Sequence, residues 1–113
     1  MTTITAILFE NAESWLKENV PDMEADGVSA IRPVTAFNAE GTTRYKDSEE
    51  GTSKDCTMAD HVQALKLLCD SVGKTLFVGG IKSPIDLVDP CNWDSEVYDA
   101  FFQYVMLGEV IYG

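Results

Sequence analysis

Basic residues are scarce in this chain, and after Lys82 there are none. Eight Lys and Arg stand against 19 Asp and Glu, a formal net charge of −11 with the single histidine neutral. From Asp86 to Gly113 the acids Asp86, Asp89, Asp94, Glu96, Asp99 and Glu109 meet no cation, so this segment alone carries −6. Direct nucleic-acid binding needs clustered Lys and Arg against the phosphates, and docking on an anionic membrane needs the same, so neither is expected. Long apolar runs are missing too: none approaches the roughly 18 residues of a membrane span. The opening MTTITAILFENAESWLKENV has an apolar patch but no basic leader and runs into acids, which is not the form of a signal peptide. Cysteine pairs are absent as well. Cys56, Cys69 and Cys91 include no CxxC, which argues against a disulfide framework and a cysteine-paired zinc site. Reduced thiols in a cytosolic protein are the simpler reading.

What remains is 113 residues with 45% apolar side chains, enough for one domain whose core buries about two-thirds of the unfolded chain's surface. One stretch looks like a named motif. CDSVGKTLFVGG, Cys69 to Gly80, contains Gly73-Lys74-Thr75. A phosphate-binding loop needs a further glycine five residues before its Gly-Lys pair, and follows a strand to open a helix. Here Leu68 holds the glycine position, a helical pattern precedes Gly73 and an apolar run follows it. Gly73 therefore reads as the end of a helix, with Lys74 near the negative end of its dipole.

Periodicity outlines the rest. Ile4, Ile7, Leu8, Ala12, Trp15 and Leu16 share one face at helical spacing, with a Glu13–Lys17 pair on the flank, up to Pro21. The rival is a short strand over Thr2–Phe9. Val28–Phe37 is β-like, confined by Pro33 to an edge or bulge, and Thr42–Tyr45 suits a hairpin partner. A mobile polar loop is expected at about residues 46–56. Thr57 and Asp60 have capping-box spacing for a helix to Val72, with Met58, Val62, Leu65, Leu68, Cys69 and Val72 inward and Leu67 opposite. A strand over Thr75–Val78, a Gly79-Gly80 turn, a helical turn or two at Pro84–Val88, a last helix from Asp94 or Ser95 to Leu107 stopped by Gly108, and a closing strand Val110–Tyr112 complete the chain. The expectation is a small compact α+β domain, about three helices on a small, mostly antiparallel sheet.

The last helix is apolar almost all round. Val97, Ala100, Phe101, Tyr104 and Val105 form one face, while Tyr98, Phe102 and Met106 widen it and leave only Glu96, Asp99 and Gln103 polar. Such a helix is central to a core or also packs on a second protein, including a homodimer partner.

Catalytic groupings are thin. His61 lies within a helix, with Cys56, Asp60 and Cys91 as conceivable companions for thiol or metal chemistry, but an anionic chain disfavours the thiolate. The loop Asp89–Asp99 is acidic yet lacks the glycine and alternating ligands of a calcium loop. No cofactor or metal is expected; the 19 acids leave room for a paired-carboxylate hydrolase, and a small enzyme is the third-placed reading. The acids themselves are the candidate site. Asp22, Glu24 and Asp26 alternate, as do Asp47 and Glu49, and in extended chain such acids stand about 6.6 Å apart. Regular negative charge on a folded scaffold can imitate nucleic-acid phosphates and occupy the basic groove of a nuclease or other nucleic-acid-binding protein. In size, charge and lack of a catalytic set the chain is similar to phage-encoded inhibitors of restriction and CRISPR systems, and equally to bacterial immunity proteins that block nuclease toxins. The likeness is one of class, carried by no shared motif. The residues expected to bind a basic protein partner are Asp86, Asp89, Asp94, Glu96 and Asp99, then Asp47, Glu49 and Glu50 on the polar loop. Trp93 is the candidate anchor, unless it folds back onto the core. The alternative class is an oligomeric structural protein using the last helix.

Overall fold

A three-stranded sheet gathers the first half of the domain, and two long helices close over it. The computed structural model describes residues 12–20, 30–35, 37–74, 76 and 81–111. The expected helix start at Ile4, its rival strand over Thr2–Phe9, the alternating Asp22, Glu24 and Asp26, and most of the strand Thr75–Val78 with its Gly79-Gly80 turn lie outside them.

Helix α1, Ala12–Asn19, buries Leu16 completely and continues into the buried Val20. Its Trp15 is half-buried and donates its indole N–H to the Val88 carbonyl, 2.9 Å away, which ties the helix to the C-terminal half. Strands β1 (Ile31–Pro33), β2 (Thr43–Asp47) and β3 (Thr52–Cys56) follow in the antiparallel order β1-β2-β3, with Ile31 opposite Asp47 and Tyr45 opposite Lys54. Pro33, which has no N–H for a ladder, ends the edge strand β1, as its chemistry requires. In β2, Thr43, Tyr45 and Asp47 point inward while Arg44 and Lys46 face solvent.

The polar stretch at 46–56 is not a loop. It holds the end of β2, a four-residue turn and all of β3. Asp47 builds the turn: its carboxylate accepts the N–H groups of Glu49 (2.9 Å) and Glu50 (3.2 Å), and its carbonyl accepts that of Gly51 (2.9 Å), which sits at φ +69°. β3 carries no apolar alternation because only Cys56 is buried, so nothing in its side chains advertised a strand.

Helix α2, Met58–Ser71, starts on the expected capping box. The Thr57 hydroxyl accepts the Asp60 N–H (3.2 Å), and the Asp60 carboxylate accepts the Thr57 N–H (2.8 Å). Its buried face runs through His61, Ala64, Leu65, Leu68 and Cys69, whereas Met58, Val62 and Val72 are only half-buried. The face is turned from the expected one because a histidine with both ring nitrogens satisfied goes inside. At the end of α2 the chain makes a type II turn: Val72 lies at φ −62°, ψ 126°, Gly73 at φ +76°, and the Lys74 N–H reaches the Ser71 carbonyl at 3.0 Å. Gly73 thus ends the helix by occupying the one turn position that demands a left-handed residue.

Two 3₁₀ turns, Pro84–Val88 and Pro90–Asn92, lead to α3, Ser95–Leu107. Asp94 caps α3 through Glu96 N–H (3.0 Å) and Val97 N–H (3.2 Å), and Gly108 stops it at φ +76°. Val110 and Ile111 form no strand: the Ile111 N–H is taken by the Gln103 side-chain oxygen at 2.7 Å. α3 packs on α2 and the sheet. Tyr98, Tyr104 and Leu107 of this helix are half-buried, while Val97, Ala100, Phe101, Phe102, Gln103, Val105 and Met106 are buried. Gln103, expected on the polar side, joins them because Asp99 and Ile111 satisfy its amide. The result is a compact α+β domain, and its radius of gyration of 13.0 Å matches the roughly 13 Å of a compact chain near this length.

Candidate functional site

The expected partner-binding acids divide by what their carboxylates already do. Asp86 accepts the N–H groups of Lys82 (2.8 Å) and Ser83 (3.1 Å), closing the start of the first 3₁₀ turn. Those two donors, the Lys82 N–H first, hold its carboxyl below the ordinary 3.8. Asp89 accepts the Cys91 N–H at 3.0 Å, Asp94 caps α3, and Asp99 accepts the Gln103 amide at 2.9 Å. Only the Glu96 carboxylate, in the first turn of α3, accepts no hydrogen bond and joins no ion pair among the described residues. Asp89, Asp94 and Glu96 are exposed, and Asp86 and Asp99 half-buried. The five therefore lie along two 3₁₀ turns and the first two turns of α3, each Asp anchored by one oxygen. Among the described residues the one salt bridge lies elsewhere, between Arg44 Nε and Asp55 Oδ1 at 3.1 Å across β2 and β3.

Two expectations are corrected. Asp47 is 2% exposed, its carboxylate spent on the hairpin turn, and only Glu49 and Glu50 of that group stand in solvent. Trp93 is 5% exposed and folded back: its indole N–H meets the Leu87 carbonyl at 2.8 Å, and its ring packs 5.3 Å from Phe101, 5.6 Å from Tyr98 and 5.7 Å from Trp15. The aromatic partners outweigh what a solvent-facing indole would gain, so Trp93 is core and offers no surface for an anchor.

Comparison with family models, curated proteins and solved structures finds no match.

The thiol and imidazole groups do not converge on a reactive arrangement. His61 is fully buried, with Nδ1 2.7 Å from the Thr57 carbonyl and Nε2 2.9 Å from the Tyr45 hydroxyl, so both ring nitrogens are engaged away from any cysteine. Cys56 is buried, and desolvation, then the Asp60 charge, pushes its thiol up to about 11, where the nucleophilic thiolate is scarce at neutral pH. Cys69 is buried and Cys91 exposed. No group of three or more His, Cys, Asp or Glu among the described residues is placed to hold a metal ion. No described helix is long and apolar enough to cross a membrane. Tyr45, the partner that satisfies His61, was not singled out as a site residue from sequence; the inward alternation Thr43–Tyr45–Asp47 in β2 was the available signal.

Proposed function

We propose that the protein is a non-catalytic acidic interaction module that binds the basic groove of a nucleic-acid-processing protein as a stoichiometric inhibitor. The carrying observation is the run Asp86–Asp99 with no cation in it and with four carboxylates pinned by hydrogen bonds. Each of these Asp residues uses one oxygen inward and leaves the other without a hydrogen bond among the described residues. A partner's Lys or Arg would meet fixed charges whose ordering has already been done by the fold. Glu96 adds a carboxylate with no local duty. Immunity against a nuclease toxin would use the same chemistry on a different groove.

The experiment is a pull-down from the native host with washes of rising salt. A basic nucleic-acid-binding protein should be retained and then lost progressively, because charge attraction is screened within about 8 Å at physiological ionic strength. The triple variant Asp94→Asn, Glu96→Gln, Asp99→Asn removes three charges while Asn remains as good an N-cap as Asp. It should fold as the parent does and capture less, and added DNA or RNA should compete. An acidic partner, or undiminished capture by the triple variant, would sink the reading and leave the charge as a solubilising surface.

A further inference from the structure

We propose that the buried chain Tyr45–His61–Thr57 is a proton-sensitive latch between the sheet and α2, closed while the imidazole is neutral and opened when it is protonated. The Thr57 carbonyl can only accept, so the 2.7 Å contact places the ring proton on Nδ1. Nε2 is then a bare acceptor, and the Tyr45 hydroxyl at 2.9 Å must be its donor. Protonation puts a second N–H opposite that hydroxyl. The hydroxyl would have to turn and accept, and its hydrogen would then need a second partner, whereas its one hydrogen bond among the described residues is the one to His61. Tyr45 and His61 are both 0% exposed, so water does not relieve the mismatch in the closed state.

The surroundings reinforce this. Phe37 stands edge-on 4.9 Å from the imidazole, and Phe101 of α3 lies at 6.3 Å. The titratable neighbours are Tyr45 from β2, Cys56 from β3, whose charge would act on Tyr45, and Asp60 from α2 itself. Tyr45 is held far toward its neutral form by burial, and the Cys56 thiol is raised as described, so neither supplies an anion to balance an imidazolium. Asp60 does favour the cation, but its carboxylate is already committed to the Thr57 N–H at 2.8 Å. Desolvation outweighs the Thr57 carbonyl and Asp60, which oppose it, and His61 sits below its ordinary 6.5.

Over the interval between the folded value and 6.5, the unfolded chain binds the proton and the folded one does not. Stability present above pH 6.5 is therefore lost as pH falls, until the folded value is reached, and His61 adds no slope below it. One proton gives at most about a tenfold rise in the unfolding constant per pH unit.

The test uses two measurements on the full chain. As the single histidine, His61 gives an unambiguous NMR signal; its nitrogen shifts should show the Nδ1–H tautomer at pH 7.5 and a titration below 6.5. Urea unfolding of the parent between pH 7.5 and 5 should then show stability falling with pH, and His61→Leu should flatten that slope. An Nε2–H tautomer, or an imidazole titrating at or above 6.5, overturns the latch, as do parallel slopes in parent and variant. If His61→Leu does not fold, the NMR measurement on the parent decides alone.

Discussion

Truncating Trp93 separates a core residue from a surface anchor, because the two roles predict opposite outcomes. The side chain is 5% exposed, touches three aromatic rings at centroid distances of 5.3 to 5.7 Å, and donates its N–H to the carbonyl of the fully buried Leu87. Trp93→Ala would remove that packing and open a cavity, which typically costs about 3–5 kcal/mol for Trp. Against a total stability on the order of 5–15 kcal/mol for a domain, this is a large share. Trp93→Phe keeps most of the apolar area but strands the Leu87 carbonyl, a loss of about 1–3 kcal/mol. Urea unfolding followed by far-UV circular dichroism reads both, provided the denaturant slope stays constant across the series. The order should be parent, then Phe, then Ala. A Trp93→Ala protein within about 1 kcal/mol of the parent would refute the burial argument and return Trp93 to the surface as an anchor.

Gly73→Ala tests the turn that ends α2. No atom lies within 4 Å of the added Cβ, so the cost is that of a left-handed alanine alone, about 1–2 kcal/mol, and the melting temperature should drop by about 4 °C or more. An unchanged melting temperature would mean that the turn does not need φ +76°. The cysteines make a second check: a thiol reagent at pH 8 should modify exposed Cys91 at once, while buried Cys56, with its thiol pushed up to about 11, reacts only on unfolding. Rapid consumption of two equivalents by the native protein would contradict that placement.

Much of this architecture was legible where its cause is local. The capping box Thr57–Asp60, the Asp94 cap and the Gly108 stop are each written within a few residues, so both long helices could be placed from their ends. β3 could not, because its strand character comes from pairing with β2 and leaves no apolar period in TSKDC. Polar residues at 47, 61 and 103 were assigned outward or left aside by polarity, yet Asp47, His61 and Gln103 are inside because turn N–H groups, a tyrosine with a carbonyl, and a tail amide satisfy them. For the candidate site, the sequence displayed the charge and its one-sided run. It did not display that four of the five carboxylates have structural duties, although Ser83-Pro84 before Asp86 was a partial signal.

The contact between Trp15 and Trp93 has a practical consequence. These are the chain's two tryptophans, and their ring centres lie 5.7 Å apart at a tilt of 41°. All indole emission from the protein thus originates at one joint, where α1, the 3₁₀ turns and α3 meet. Rings this near and this inclined couple their electronic transitions, so the joint carries its own optical signature, readable without any label. Opening at that seam would register as a spectral change even if the sheet stayed folded, whereas an event confined to the β2–β3 hairpin would pass unseen.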